Sequence, residues 1–457
     1  GGAGAFAAAI HANELKTKTA IINTGLPIGG TCVNVGCVPS KALLWAGEIL
    51  HQAKYHGVPG IELEVKKFDF QKVVQAELKL VKKMRQEKYE KVLNNLKYVT
   101  VIKGRAKFIS QKEVEVNGEK LSAEKFIIAV GSTANIPPIQ GLQETGFATH
   151  IEALKFKNQP KRLIVIGAGP VGLEFSQMYA RFGTKVTILH HSPSIFSHAE
   201  KELTDRLTKI FINEGIIVKL NVKIKNVKKV NNEKVVTFEI NGKQEKIIAD
   251  EILVAVGKTP NTQKLGLEKV NIKIDKKQAI IVNKNYQTSN KNIFAVGDVI
   301  NAPLRLEITA GHEGTLVAEN ILKGTTHFID YNTVPYTIFT DPQLAGVGLT
   351  EAEQMKQMGT CACRTIPFSS VPKAIIMNKT EGMIKMVIHP KTKQILGVHI
   401  LGPNAGELIA QAMMLIKNKN TIDDIIHSLP MFPTLSEAIK IVALSFVKDI
   451  SKLSCCV

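Results

Sequence analysis

The chain has 457 residues, 44% of them hydrophobic, and a formal net charge of +19. This length predicts two to four domains, and no apolar run reaches the roughly 18 to 20 residues of a membrane span, so we expect a cytoplasmic protein without one. No signal-type segment opens the sequence, which favours the same location. The lysines are scattered rather than clustered with arginines and aromatic residues, so we expect solvated faces and no nucleic-acid partner.

The sequence opens with glycines of the kind that bind a dinucleotide phosphate. Residues 1–5 are Gly-Gly-Ala-Gly-Ala, residues 6–15 predict an Ala-rich helix, and residues 18–23 predict a buried strand. Counted back from that strand, the glycine positions of the turn fall on a residue before the sequence, on Gly2 and on Ala5. We therefore expect part of this turn to precede the sequence.

The cysteines are few, and their arrangement is informative. Six cysteines in a chain of this length do not make a disulfide scaffold, but pairs of cysteines indicate redox or soft-metal chemistry. In the first pair four residues separate the cysteines, rather than the two of a thioredoxin motif. The three pairs are Cys32 with Cys37, Cys361 with Cys363, and Cys455 with Cys456.

A second nucleotide-binding unit follows a long amphipathic helix that is predicted over residues 72–98. Residues 163–166 predict a strand, and the helix after it runs to about residue 182. The turn between them contains Gly167, Gly169 and Gly172. Glycines at these positions let the backbone approach a pyrophosphate, whose charge then lies at the positive end of the helix. Two such turns predict two bound dinucleotides, whereas a lone match would be weak.

The residue that follows each second strand indicates which dinucleotide binds. An acid there binds a ribose 2′-hydroxyl, whereas a positive group tolerates a 2′-phosphate. The second unit has His190 and His191 and no acid, which favours NADPH over NADH; the alternative is two surface histidines without a ligand. The first unit has Asn23, whose amide can still make the ribose hydrogen bond.

The remaining pattern predicts a return to the first domain and then a third domain. Apolar alternation and helices beyond about residue 330 predict an α+β unit, and Asp298 ends a buried strand. The further predicted strands are 185–189, 252–256, 292–298, 333–339, 382–389 and 395–401, with polar hairpins up to about residue 250.

The run Gly29–Lys41, which contains Cys32 and Cys37, closely resembles the redox-active disulfide helix of the flavoprotein disulfide reductases. The resemblance extends over nearly the whole chain and implies FAD and NADPH as cofactors. It also implies that Cys37 faces the flavin and that Cys32 exchanges with substrate. A thiolate at a helix start is stabilised by the helix dipole, which suits this role. A structural disulfide is the alternative.

The same resemblance implies further site residues. Lys41 and Glu174 match an ion pair beside the flavin N5, although both are otherwise ordinary exposed charges. Lys258 stands where the family has arginine in a Gly-Arg-x-Pro-Asn motif. The implied cofactor contacts are Gly2, Ala5, Gly25, Gly30, Thr31, Lys41, Ala106, Gly131, Asp298, Gly167, Gly169, Gly172, His190 and Gly257.

The C-terminal part of the sequence bears on the substrate. Family members that act on disulfides carry a His-Pro-Thr-x-x-Glu motif in the partner subunit, and here Phe432 replaces the histidine while Glu437 remains. A phenyl ring carries no proton, so dihydrolipoamide and glutathione disulfide are poor candidates. Residues 453–457 resemble the tail of mercuric reductases, in which two adjacent cysteines take Hg(II) and pass it to the inner pair.

These features predict a mercuric reductase that receives Hg(II) as a thiol complex and works as a homodimer. Cys455 and Cys456 would bind the metal and deliver it to Cys32 and Cys37, because soft thiolates exchange soft ions readily. Phe432 replaces a tyrosine that is common in mercuric reductases, and close relatives often have a tyrosine where Pro170 stands.

Two alternatives remain, a related reductase of oxidised thiols or small oxidants and a thiol protein that binds metal without turnover. Cys361 and Cys363 match no required element, so we expect a bystander pair, with soft-ion chelation as the alternative.

The predicted fold class is α/β, with two Rossmann-like nucleotide-binding domains and a C-terminal α+β dimerisation domain. We expect residues 1–150 and 280–330 to bind FAD, residues 151–279 to bind NADPH, and residues 331–457 to form the dimer interface.

Overall fold

The protein is described by a computed structural model that covers residues 1–452 and Ser454. The helices are Ala3–Glu14 (α1), Gly30–Val35 (α2), Cys37–Tyr55 (α3), Phe70–Arg85 (α4), Lys91–Leu93 (α5), Leu142–Thr145 (α6), His150–Ala153 (α7), Pro170–Arg181 (α8), Lys201–Asn213 (α9), Glu307–Lys323 (α10), Glu351–Met358 (α11), Pro372–Ile376 (α12), Ala405–Lys417 (α13), Ile422–Ile426 (α14) and Glu437–Leu444 (α15).

The strands of the described residues form seven sheets. They are Thr19–Asn23 (β1), Val99–Lys103 (β2), Ala106–Ser110 (β3), Glu113–Val116 (β4), Glu119–Ser122 (β5), Phe126–Ile128 (β6), Ser132–Ala134 (β7), Arg162–Ile166 (β8), Lys185–Leu189 (β9), Ile217–Lys219 (β10), Lys223–Val230 (β11), Glu233–Ile240 (β12), Lys243–Ala249 (β13), Glu251–Val254 (β14), Lys258–Pro260 (β15), Ile293–Ala295 (β16), Tyr336–Ile338 (β17), Gln343–Gly348 (β18), Ala362–Pro367 (β19), Met383–Ile388 (β20) and Ile395–Gly402 (β21).

The first region joins the N-terminal residues to a later part of the chain. β1 pairs in parallel with β2, and β6 pairs in parallel with β16. Helix α1 packs on α10, because Gly4 and Gly314 bring the two backbones into direct contact. A shared apolar core includes Phe108, Ile293 and Val317. Residues after β15 therefore return to the region formed by the N-terminal residues.

The second region is a parallel four-stranded sheet in the order β10-β9-β8-β14. Its central strand β8 is an almost continuous apolar run, because Leu163, Ile164 and Val165 are all at most 1% exposed. Strands β11, β12 and β13 form an antiparallel meander beside it. Helix α8 of this region packs on α3 of the first region, so the two nucleotide units meet along these helices.

The third region is a five-stranded antiparallel sheet in the order β17-β18-β21-β20-β19. Helices α13 and α15 cover it, and their apolar residues complete a separate core. Among the described residues no helix is both long and apolar enough to cross a membrane.

Several element boundaries differ from those expected. The helix expected over 72–98 is α4 followed by a π-helical turn, Gln86–Glu90, and the short α5, because Lys91 bonds to the carbonyl of Gln86 instead of continuing the α-helical pattern. Helix α1 starts at Ala3, since the extended Gly2 precedes it directly. The strands β18 and β19 were not singled out in the sequence.

Candidate active site

The first cysteine pair lies where two helices meet. Cys32 is in α2, and Cys37 is the first residue of the 19-residue α3. Gly36 separates the helices, and a side chain there would approach the carbonyl oxygen of Thr31 to 2.9 Å. Both cysteines are free thiols, and Cys37 is exposed. The structure thus holds the predicted redox pair in its dithiol form, with one sulfur at a helix start.

The two sulfurs have different acidities because they hydrogen-bond to each other. The bond from Cys32 and the Lys41 ammonium lower the pKa of Cys37 to about 7. The same hydrogen bond, burial and nearby negative charge raise the pKa of Cys32 well above its usual value. Near neutral pH Cys37 is therefore partly ionised, and its thiolate accepts a hydrogen bond from the Cys32 thiol.

Lys41 and Glu174, which are 133 residues apart in sequence, form an ion pair with a 2.7 Å N–O distance. Glu174 is only 5% exposed, and its second oxygen accepts the backbone N–H of Phe339 at 3.0 Å. The Lys41 ammonium also lies 4.5 Å from the centre of the Phe339 ring. The pair joins the helix of the redox cysteines to the helix of the second nucleotide turn.

The second turn has the geometry that a pyrophosphate requires. Gly167 has a φ of 108°, and a side chain at Gly172 would collide with the Gly167 carbonyl, so this helix packs closely on its strand. A side chain at Gly169 would meet no atom within 4 Å, and Gly169 precedes α8 without a side-chain cap. Open space at the start of a helix fits the phosphates of NADPH.

His190 lies against this turn rather than apart from it. Its Nδ1 accepts the backbone N–H of Ala168 at 3.3 Å, and burial and the neighbouring His191 lower its pKa. The ring is therefore neutral at pH 7. The expected preference for NADPH then depends on the missing acid rather than on a positive charge at His190.

In the first turn the backbones of two glycines are in close contact. Gly2 is the extended residue before α1, and Gly30 has a φ of 62°. A side chain at Gly30 would lie 2.5 Å from the Cα of Gly2, so only glycine fits there. The start of α1, where phosphate binding is predicted, thus lies directly beside the helix that carries Cys32.

The other predicted FAD contacts lie on elements next to this turn. Ala5 is in α1, Thr31 follows Gly30 in α2, and Ala106 begins β3. Gly25 follows β1, has a φ of 77° and has open space at its Cβ position. Gly25 therefore leaves space beside the first turn, and the roles of all these residues in binding remain predictions.

Asp298 and two glycines converge where the chain crosses between the nucleotide units. Asp298 accepts a hydrogen bond from Ser132 at 2.6 Å, and Lys258 lies 3.6 Å from the same oxygen. Gly131 and Gly257 have φ values of 67° and 105°, and neither has an atom within 4 Å of its Cβ position. This polar, open surface fits the flavin chain.

The C-terminal motif is not joined to the cysteines within one chain. Glu437 is 7% exposed, and its carboxylate accepts the N–H of Thr434 at 3.0 Å ahead of α15. Phe432 is 42% exposed. Any contact of these residues with the redox pair would have to be made by a second subunit. Cys455 and Cys456 lie outside the described residues.

Two residues near the redox pair were missed in the sequence. The charge of Glu307, the first residue of α10, raises the pKa of both Cys32 and Cys37. Tyr89 is near the same groups, since burial and their negative charges raise its pKa to about 12. Nothing in the local sequence marks either residue, because long-range packing brings them to the cysteines.

Comparison with known proteins identifies the class. Residues 1–315 match the family described as pyridine nucleotide-disulphide oxidoreductase, and residues 334–443 match its dimerisation domain. The chain belongs to the pyridine nucleotide-disulphide oxidoreductases. This assignment confirms the predicted family and fold class, the expected dimerisation region and an oxidoreductase activity of this class.

Relatives with two different activities are similar to this chain over nearly its whole length. The chain is 38% identical to a mercuric reductase of Lysinibacillus sphaericus over 456 residues, which is 100% of this chain and 83% of that protein. A mercuric reductase of Staphylococcus aureus is 36% identical over 455 residues, covering 100% and 83% respectively. A dihydrolipoyl dehydrogenase of Thermus scotoductus is 37% identical over 445 residues, covering 96% and 94%.

A solved structure supports the same class. The HOCl-induced flavoprotein disulfide reductase RclA of Escherichia coli, in a Cu(II) complex, superposes with a TM-score of 0.87 at 27% identity and covers 98% of each chain. The expected cofactors, FAD and NADPH, are those of the mercuric reductases in this family. The family assignment therefore supports FAD and a pyridine nucleotide as the cofactors, and the choice between NADPH and NADH in this chain belongs to the proposal below.

Proposed function

We propose that the protein is a mercuric reductase, which reduces Hg(II) to Hg(0) with NADPH. The observation that carries the proposal is the dithiol of Cys32 and Cys37, in which a thiolate with a pKa of about 7 is paired with a thiol. Two sulfurs in contact are suited to a soft cation. The names of the relatives support this substrate, since two mercuric reductases match the full length of this chain.

The two cysteine pairs would have different roles in the reaction. Cys455 and Cys456 would receive Hg(II) from its thiol complex and pass it by ligand exchange to Cys32 and Cys37. The Cys37 thiolate would bind first, and the Cys32 thiol would release its proton as it binds the metal. When bound, FAD supplies a route for two electrons from NADPH. Those two electrons convert Hg(II) to Hg(0), so one NADPH is consumed per metal atom.

Lys41 and Glu174 would set the electrostatic environment of the Cys37 sulfur. Lys41 stabilises the Cys37 thiolate, and the buried Glu174 fixes the position of the ammonium. For the nucleotides, we propose that residues 1–150 and 280–330 bind FAD and that residues 151–279 bind NADPH. Residues 331–457 would then form the dimer interface, with Glu437 and the tail of one subunit facing the cysteines of the other.

A related flavoprotein reductase of oxidised thiols is the second candidate. The 37% identity with a dihydrolipoyl dehydrogenase favours it. Phe432, where disulfide-reducing members have histidine, counts against it, because the site then lacks a group that exchanges the thiol proton.

Steady-state NADPH oxidation by the flavin-loaded protein separates these functions. We expect turnover with Hg(II) in excess small thiol and little turnover with lipoamide or glutathione disulfide. Faster turnover with either disulfide than with Hg(II) would favour the second candidate. Binding of Hg(II) without NADPH consumption would instead indicate a metal-binding protein. The double variant Cys455→Ala with Cys456→Ala should slow the reduction of Hg(II). Unchanged turnover would show that the C-terminal cysteines are not needed to deliver Hg(II) to the inner pair.

A further inference from the structure

A second pair of thiols lies at the edge of the C-terminal sheet. Cys361 precedes β19 and Cys363 lies in it, so the two side chains point to the same face. Their sulfurs and a carboxylate oxygen of Glu351 all lie within 4.8 Å of one another. All three residues are partly exposed. Among the described residues β19 pairs with β20 alone and lies at the edge of the sheet, so solvent ions can approach this cluster.

The fold fixes the positions of these three ligands. Glu351 is the first residue of α11, whose start is held by a capping box between Thr350 and Glu353. Gln354 of the same helix is fully buried and accepts the N–H of Ala362 at 3.2 Å, directly between the two cysteines. The helix that carries Glu351 is therefore tied to the strand that carries the sulfurs.

The surrounding charges favour a cation. The buried Lys385 contacts Glu351 and also bonds to Glu202 at 2.9 Å and to Glu200 at 3.1 Å. Three carboxylates around one ammonium leave an excess of two negative charges, which the nearby Arg364 guanidinium, bonded to the Cys363 carbonyl at 3.0 Å, offsets in part. If Glu351 turned to a metal ion, Lys385 would keep its other two partners and would not be left as an uncompensated buried charge.

The thiols themselves are protonated at neutral pH. Burial and the hydrogen bond with Cys361 raise the pKa of Cys363 to about 12, and burial raises the pKa of Cys361 as well. Spontaneous reaction as nucleophiles is therefore suppressed, because the thiolate is the reactive form.

We propose that Cys361, Cys363 and Glu351 form a second site for a thiophilic divalent d¹⁰ cation, such as Zn(II), Cd(II) or Hg(II). Two thiolates and one carboxylate are a donor set that such ions accept, and a fourth position would be open to a small solvent ligand. On binding, each of the two thiols exchanges its proton for a bond to the metal, both protons pass to solvent, and no electron is transferred. The site is built on different elements from Cys32 and Cys37, so it does not depend on the proposed reductase activity.

Cadmium binding tests the site in the flavin-loaded full chain. Replacing Cys32, Cys37, Cys455 and Cys456 with serine leaves only the second pair of thiols. Cd(II) should then produce a thiolate-to-metal charge-transfer band that saturates at about one ion per chain, with release of about two protons. Adding Cys361→Ser and Cys363→Ser should abolish the band. Absence of the band in a chain whose thiols are free and whose flavin is retained would overturn the proposal.

A matched pair of carboxylate variants tests the ligand set. Glu351→Gln removes a proposed ligand, whereas Glu202→Gln removes a different partner of the same Lys385. We expect Glu351→Gln to weaken Cd(II) binding by about tenfold or more and Glu202→Gln to change it by less than about threefold. Equal weakening by both variants would show a general charge effect, and it would overturn the assignment of Glu351 as a ligand.

The intact enzyme gives an independent test. The variant Cys361→Ser with Cys363→Ser should hold about one Zn(II) fewer per chain after dialysis against the metal. Its Hg(II)-dependent NADPH oxidation should stay close to that of the parent. Unchanged Zn(II) content would contradict the site even if catalysis were altered, so the two proposals fail separately.

Discussion

At the residue scale, the two active-site sulfurs are chemically distinct although they are neighbours. Cys37 begins α3, is exposed and faces the Lys41 ammonium, whereas Cys32 donates the hydrogen bond that stabilises the Cys37 thiolate. The position of Lys41 is fixed in turn by the buried Glu174. The division of roles between the sulfurs therefore follows from charge and hydrogen bonding, which spacing in the sequence does not provide.

The Cys37 thiolate should appear as the pH rises through about 7. In the two-electron-reduced enzyme it should give the long-wavelength absorbance of a thiolate against an oxidised flavin, and this absorbance should grow with pH because the thiolate is the basic form. Cys32→Ala removes the hydrogen-bond donor and should shift the transition to higher pH. Cys32→Ser keeps a donor and should shift it less; the reverse order would contradict the hydrogen-bond account.

Glu307 should oppose the ionisation of Cys37, because its carboxylate raises the pKa of that thiol. Glu307→Gln is expected to move the same spectral transition to lower pH. Glu319→Gln is a suitable control, since Glu319 is on the same helix but pairs with Lys323 and His327. If the midpoint pH of the transition in Glu307→Gln were unchanged or higher, the Glu307 carboxylate would not affect the ionisation of the sulfurs.

At the element scale, the second nucleotide turn was predictable from sequence and the surroundings of the cysteines were not. Gly167, Gly169 and Gly172 each have a distinct steric role, and local spacing is enough to find them. The charge of Glu307 acts on the cysteines across some 270 residues of sequence, and the π-helical turn at Gln86–Glu90 interrupts a pattern with helical periodicity. Such features depend on tertiary packing, which no local pattern carries.

Alanine substitutions at two glycines of the second turn should affect protein stability and NADPH binding separately. Gly172→Ala places a methyl group against the Gly167 carbonyl and should lower the free energy of unfolding by about 1–3 kcal/mol. Gly169→Ala meets no protein atom, so the Tm should hold while the Kd for NADPH rises by about tenfold, because the methyl group occupies the path of the pyrophosphate. Thermal melts and nucleotide titrations of the two variants measure both effects. If Gly169→Ala bound NADPH as tightly as the parent, the pyrophosphate would not lie beside Gly169.

At the scale of the whole molecule, one chain supplies only part of the predicted site. The two nucleotide units meet through α3 and α8, which brings Lys41 to Glu174. The C-terminal motif instead presents exposed apolar side chains, with Leu429 94% exposed and Met431 75% exposed. Large apolar residues in one exposed segment indicate an interface. The match to a dimerisation domain over residues 334–443 agrees with this surface.

Charges on this segment should disrupt the dimer. Leu429→Asp with Met431→Asp is expected to give a monomer in sedimentation experiments and to abolish Hg(II)-dependent turnover, because we propose that each site is built from both subunits. Val230→Asp is the control, since Val230 is 50% exposed at the end of β11 in the antiparallel meander. A double variant that stays dimeric and active would mean that this segment lies outside the interface.

Simultaneous measurement of NADPH and mercury vapour shows whether Hg(II) held by Cys32 and Cys37 is reduced at the expense of NADPH. With flavin-loaded enzyme, Hg(II) and excess small thiol, we expect about one Hg(0) released per NADPH oxidised, and loss of both signals in Cys32→Ser. NADPH oxidation without mercury vapour, or mercury vapour that persists in Cys32→Ser, would contradict the account.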